Sequence, residues 1–171
     1  MHSLKTNIVK ASLVALMACG GGDPVYGTWN QPNGSIAIPV ALGGGSLTDN
    51  ATLVFDDSVS PPTFDLKMDL SYTGLTDTLE AHGTYTNGGS ALTLDFTGFA
   101  IAAGSGDTTN VASDGSQCLT MTPLGGATVC FATPQTDNFQ IANDTLTIAI
   151  NNDIAGAAPS ATTLTLARQS P

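Results

Sequence analysis

From Thr63 to Tyr72 the chain changes character at every residue: Phe64, Leu66, Met68, Leu70 and Tyr72 share one parity, and Asp65, Lys67, Asp69 and Ser71 the other. Successive side chains of an extended strand leave on opposite faces, so this pattern specifies a strand with one face in a core and one in water. The same period recurs over Ser35–Val40, Ala51–Asp56, Asp77–Thr86, Ala91–Phe96, Ser116–Thr122, Ala127–Ala132, Asp137–Ala142, Thr145–Asn151 and Thr162–Arg168. After Cys19 no stretch carries a helical period, so the chain is expected to be all-β.

The breaks between these runs carry turn chemistry: Asn87-Gly88-Gly89, Pro123-Leu124-Gly125-Gly126 and Asn143-Asp144. Short connections join antiparallel neighbours, which predicts an up-and-down meander. Gly104 to Gly115 is small and polar throughout and reads as a long loop. A meander of eight to ten strands must protect its edges, and closure into an antiparallel barrel does so most completely. The alternative is a two-sheet sandwich. Inward candidates are Phe64, Leu66, Met68, Leu70, Tyr72, Leu79, Tyr85, Leu92, Leu94, Phe96, Met121, Phe131, Phe139, Ile148 and Leu164. They would either line a ligand cup or fill the interior, and so many large apolar groups fit a filled core better.

The N-terminus has a different character. Lys5 and Lys10 precede and flank a short apolar run, Ala11 to Ala18, which is too short to cross a bilayer as a helix and has the layout of a signal peptide with an N-terminal signal helix. It ends in Leu16-Met17-Ala18-Cys19, which resembles the lipobox of bacterial lipoproteins. The resemblance implies cleavage before Cys19, acyl chains on that cysteine and anchorage to a membrane of the cell envelope. Gly20 after the cysteine implies the outer membrane, with the domain periplasmic or surface-facing. Residues 1–18 then form the leader, 19–25 a glycine-bearing tether and 26–171 one domain.

Of the four basic residues only Lys67 and Arg168 lie beyond that leader, against fourteen acids. Nucleic acid is therefore an unsuitable partner, and the acids, spread singly along the strands, read as a solvating surface on a monomer.

Tyr26-Gly27-Thr28-Trp29 stands before the first strand run, and Arg168, the protein's one arginine, just after the last leucine of the final strand. This Gly-x-Trp with a terminal Arg is similar to the lipocalin-like, or calycin, barrels. Glu80-Ala81-His82-Gly83-Thr84-Tyr85-Thr86, Leu92-Thr93-Leu94 and Leu164-Thr165-Leu166-Ala167-Arg168 look like phrases of lipocalin-like bacterial lipoproteins. The resemblance implies that the Arg168 guanidinium lies across the Trp29 indole at the barrel floor.

If Cys118 and Cys130 are bonded across a hairpin, Leu119 faces Val129 and Met121 faces Ala127. The register is self-consistent, puts both cysteines on the outer, Thr-bearing face, and suits an exported protein. Two cysteines with His82 lack zinc-ligand spacing, so no metal and no cofactor are expected. Asp107, Asn110 and Asp114 offer oxygen ligands but not the spacing of a calcium loop.

No nucleophile motif, phosphate-cradling loop or metalloprotease helix is present, and His82 alternates with Glu80 and Thr84 on the wet face. Asp56 and Asp57 are adjacent and point apart. A non-enzymatic role is therefore expected. Three remain: binding a small apolar ligand lined by Phe64, Leu66, Met68, Leu70, Tyr72, Tyr85, Phe96, Met121, Phe131 and Phe139; protein binding through Gln31–Gly34 or Gly104–Gly115, as in lipoprotein hydrolase inhibitors; or a structural envelope protein with a filled barrel. Gly27 to Ser35 is also similar to the opening of the avidin family, where Ser35 matches a ligand-contacting serine. Gln31 departs from that pattern, and one Trp cannot build that family's aromatic box.

Overall fold

A computed structural model of the chain describes residues 23–37, 45–72, 75–102, 108–111, 116–121, 127–154 and 160–170. The lipobox residues Leu16, Met17, Ala18 and Cys19, with the leader around them, lie outside the described residues, as do Asp107 and Asp114. The described residues contain strands and no helix: β1 Gly27–Ala37, β2 Ser46–Asp56, β3 Thr63–Tyr72, β4 Leu75–Asn87, β5 Ala91–Ala102, β6 Thr108–Val111, β7 Gln117–Met121, β8 Ala127–Phe131, β9 Gln135–Ala142, β10 Thr145–Ile154 and β11 Ser160–Arg168.

Eight of these close into an antiparallel barrel in the order β1-β2-β3-β4-β5-β9-β10-β11, with β11 returning to β1 through Trp29↔Arg168 and Asn30↔Ala167. Closure removes the free edges that an open meander of alternating strands would expose. The parity read along Thr63–Tyr72 sets the inner face, and Leu53, Leu66 and Ala81 occupy one row across β2, β3 and β4.

The meander is not continuous. Between β5 and β9 the chain makes an excursion, β6-β7-β8, that returns to β10 rather than to β5: β10 pairs with β9 over Thr145–Ile148 and with β8 at Asp153 and Ile154. The segments expected as consecutive barrel strands around Cys118 and Cys130 thus form a side extension. Within it, Cys118 and Cys130 are direct cross-strand partners joined by a disulfide, with Leu119 opposite Val129 and Met121 opposite Ala127 as expected. Thr120 and Thr128 touch through their hydroxyls at 3.0 Å on the cysteine face. Cys118 is nevertheless buried rather than outward and wet. Thr108–Val111, inside the stretch expected to be loop, forms β6.

Two turns obey their residue chemistry. Asn143 and Asp144 both adopt positive φ, 51° and 56°, as a two-residue hairpin between β9 and β10 requires. Asn87 accepts from the Gly89 amide, and the Gly88 amide donates to Ala91 O, closing the β4–β5 hairpin.

Candidate functional site

The end of the barrel at Trp29 is a sealed floor. Trp29 is fully buried and donates from Nε1 to Val25 O at 2.7 Å, while Arg168 Cζ lies 4.0 Å from the centre of its ring. The guanidinium also donates to Tyr26 O (2.7 Å) and Pro24 O (2.8 Å), and its Nε lies 3.7 Å from Asp144. Gly27, at φ 113°, turns the chain under the indole where Arg168 passes; residues other than glycine rarely adopt that backbone. Residues 23–26 run on beneath the floor: Asp23 accepts from Asn87 Nδ2 at 2.6 Å, and its amide donates to Asp57. Burial, with the nearby negative charges of Asp23, Asp57 and Asp56, pushes the Tyr85 phenol upward and keeps it neutral.

Above the floor the interior is occupied by rings. Phe55 meets Tyr85 edge-on at 4.9 Å, Phe64 meets Phe96 edge-on at 5.1 Å, and Phe99 stacks on both Phe96 (5.1 Å) and Phe131 (5.3 Å). Among the residues expected to line a cup, Phe64, Leu66, Met68, Leu70, Tyr85 and Phe96 are between 1 and 5 % exposed. A solvent-filled cup would leave its lining accessible to water; these side chains instead pack on one another. Phe131 and Phe139 are half-buried against the same core. The side chains of Tyr72 and Met121 lie outside the described residues.

Among the described residues the wall parts in two places away from the floor. The β1–β11 ladder stops after Asn30↔Ala167, although β1 runs on to Ala37 beside β2, and the β5–β9 ladder stops at Leu94↔Gln135, although β5 runs on to Ala102 beside β4. Side chains bridge both partings. At the first, a bulge at Pro32-Asn33 turns Gln31 into a strap: its Nε2 donates to Asp49 Oδ2 at 2.8 Å, and its Oε1 accepts from the Thr165 amide of β11. A Cβ at Gly34 would overlap both the Gln31 amide and the Asp49 carboxylate, so this arrangement requires glycine there. At the second, Thr133 donates to Asp95 at 2.8 Å and reaches Phe96 O at 3.1 Å, fastening the β8–β9 elbow to β5.

Among the described residues three acids lie inside, contrary to the expectation that all of them face water: Asp49, Asp77 and Asp137 are buried. Asp49 and Asp77 share an inner row, one on each side of Leu70. Asp137 works as a substitute ladder partner where β10 changes neighbours: Oδ1 accepts from the Asn151 amide (3.0 Å) and Nδ2 (2.7 Å), and Oδ2 from Gln135 Nε2 (3.0 Å). Burial raises the carboxyl pKa values of Asp49 and Asp137; hydrogen bonds, chiefly from Gln31 to the first and from Asn151 and Gln135 to the second, oppose it. The signal for these acids was parity: Asp49 continues the inward set Ala51, Leu53, Phe55 backwards, and Asp137 precedes Phe139 and Ile141 on theirs.

The outer face of β2-β3-β4 carries a shallow groove of about 270 Å³ lined by Thr52, Val54, Asp65, Lys67, Glu80 and His82. Lys67 and Glu80 stand 4.0 Å apart with their side chains half exposed, and the His82 ring covers Gly98, where a Cβ would overlap it. His82 is exposed, opposite Asp65. Among the described residues no three His, Cys, Asp or Glu side chains group as metal ligands. Of the proposed protein-binding segments, Gln31 and Gly34 are built into the wall, leaving Pro32 and Asn33 exposed. No family model, curated protein or solved structure matches the chain.

Proposed function

We propose that the chain is a lipid-tethered protein of the cell envelope, of the kind sorted to an outer membrane, whose calycin-like barrel is a filled, non-catalytic scaffold that acts through its surface. The observation carrying this reading is the interior: the side chains best placed to line a cup are buried against each other in an edge-to-face aromatic core. The tether rests on Leu16-Met17-Ala18-Cys19 and the glycines after it. One acyl chain holds a protein to a bilayer reversibly, and two or three hold it firmly. The acidic outer surface then keeps the anchored domain from binding anionic headgroups.

The parting of the wall beyond Asn30 and Leu94, with half-buried Ile36 and Phe99 packed against the core, favours a second reading, a carrier of a small apolar ligand. Organic extraction of the protein from its native membrane followed by mass spectrometry separates the two. The scaffold reading expects no co-extracted molecule at stoichiometric amount, and finding one overturns it. The mass of the N-terminal peptide tests the tether: acylated Cys19 is expected, and Cys19→Ser should release the protein from the membrane fraction.

A further inference from the structure

Among the described residues, the Gln31 side chain joins β1 to β11 at the rim, beyond the end of their ladder. Beyond Asn30 no backbone pair joins β1 to β11, and the Thr165 amide donates to Gln31 Oε1 in place of a β1 carbonyl. Gln31 is in turn held by Asp49, through Nε2 to Oδ2 at 2.8 Å. Asp49 is fully buried, and its other oxygen, Oδ1, has no hydrogen-bond partner and lies against the bare Cα of Gly34. A buried carboxyl with one unpaired oxygen is tolerable when neutral and costly when charged.

We propose that the Asp49–Gln31–Thr165 strap is a proton-operated catch: with Asp49 protonated the rim strand of β1 is fastened to β11, and ionisation of Asp49 releases it. The geometry makes the release local. Among the described residues, residues 34–37 of β1 pair with β2 and not with β11, so their detachment breaks that one ladder and leaves the β10–β11, β3–β4 and floor contacts in place. Segments with a single hydrogen-bonded neighbour open at lower free energy than the core. The direction follows from burial, which favours the neutral carboxyl and outweighs the opposing hydrogen bonds from Gln31 and from the backbone of Asp49 itself.

No cation on the described strands faces Asp49 to hold it ionised. On β1, Gln31 to Ala37 carry no titratable side chain, and Thr165 on β11 is neutral. On β3 Leu70 faces it, while Asp69 is engaged by the Thr78 hydroxyl at 2.6 Å. On β4 Asp77 lies beyond Leu70 on the same inner row, two strands from Asp49.

Hydrogen exchange of the full chain, followed amide by amide at mildly acidic and mildly alkaline pH and corrected for intrinsic exchange, tests the catch. The Thr165 amide and those of residues 34–37 should lose protection as pH rises, by up to roughly tenfold per pH unit across the titration, while Leu53 and Leu66 keep theirs. Asp49→Asn retains the shape and removes the charge, so protection at Thr165 should become independent of pH; Asp77→Asn should leave the response in place. Should Asp49→Asn fail to fold, the carboxyl carbon of Asp49 in the wild-type chain must titrate over the range in which Thr165 loses protection. Equal corrected exchange at the two pH values, a response surviving Asp49→Asn, one abolished by Asp77→Asn, or a carboxyl titrating elsewhere each overturns the proposal.

Discussion

Gly34 and Asp137 show how closely single residues are specified once the barrel is closed. At Gly34 the constraint is space: the Gln31 amide and the Asp49 carboxylate occupy the volume a methyl group would take. Gly34→Ala must displace the strap or the β1 backbone, and overpacking of this kind costs about 1–3 kcal/mol, read as a lower urea midpoint at unchanged slope. At Asp137 the constraint is hydrogen bonding. Removing the carboxylate strands the Asn151 amide and the Gln135 side chain, so Asp137→Ala should destabilise by about 1–3 kcal/mol. Asp137→Asn keeps an acceptor for Asn151 and should cost less; an equal loss in both variants would show that packing, not the acceptor, matters. Neither residue was identified by sequence reading, because an isolated Asp or Gly in a strand looks like surface or turn until its neighbours are known.

Elements were legible to the extent that their alternation was clean. β3 coincides end to end with the run Thr63–Tyr72, since both its faces have a single character. β1 begins at Gly27, well before Ser35, because the bulge at Pro32-Asn33 shifts the parity and hides one strand as two fragments. β6 was missed because Thr108–Val111 offers little apolar parity to read and borrows its order from pairing with β7. The cysteine register was legible because a covalent link leaves few pairings open. This link also sets a prediction at the element scale. The Cys118–Cys130 bond closes a short loop within β7–β8, and the described backbone pairs of β8 with the barrel are those to Asp153 and Ile154 of β10. Cys118→Ser with Cys130→Ser should cost about 2–3 kcal/mol in a chain-entropy estimate. Hydrogen exchange should report the loss first in β6, β7 and β8, with β1 to β5 still protected; uniform loss would mean that the excursion is integral to the barrel.

For the whole molecule the internal acids dictate how stability follows pH. Burial raises the carboxyl pKa of both Asp49 and Asp137 from the ordinary value. An acid raised on folding binds a proton more tightly in the native state, so its contribution is complete below the ordinary carboxylate pKa and is lost as pH climbs through the raised value. The urea midpoint should therefore fall from mildly acidic towards neutral pH, and Asp49→Asn combined with Asp137→Asn should flatten that decline. A midpoint that rises over this interval would show that the exposed acids dominate, Asp56 among them, whose pKa is lowered by hydrogen bonds from Ser58. The all-β class and the inward placement of Phe64, Tyr85 and Phe96 were readable in advance; the parts played by Phe55 and Phe99 were not, nor was the placement of acids on the inner face, since charge alone suggests solvent.

The floor, finally, has a directional consequence. Residues 23–26 lie under Trp29, bound to Arg168 and Asn87, a few residues after Cys19. If Cys19 carries the proposed anchor, only residues 20–22 separate it from the floor, so the indole end is the one nearer the lipid and the strapped rim is the one farther from it.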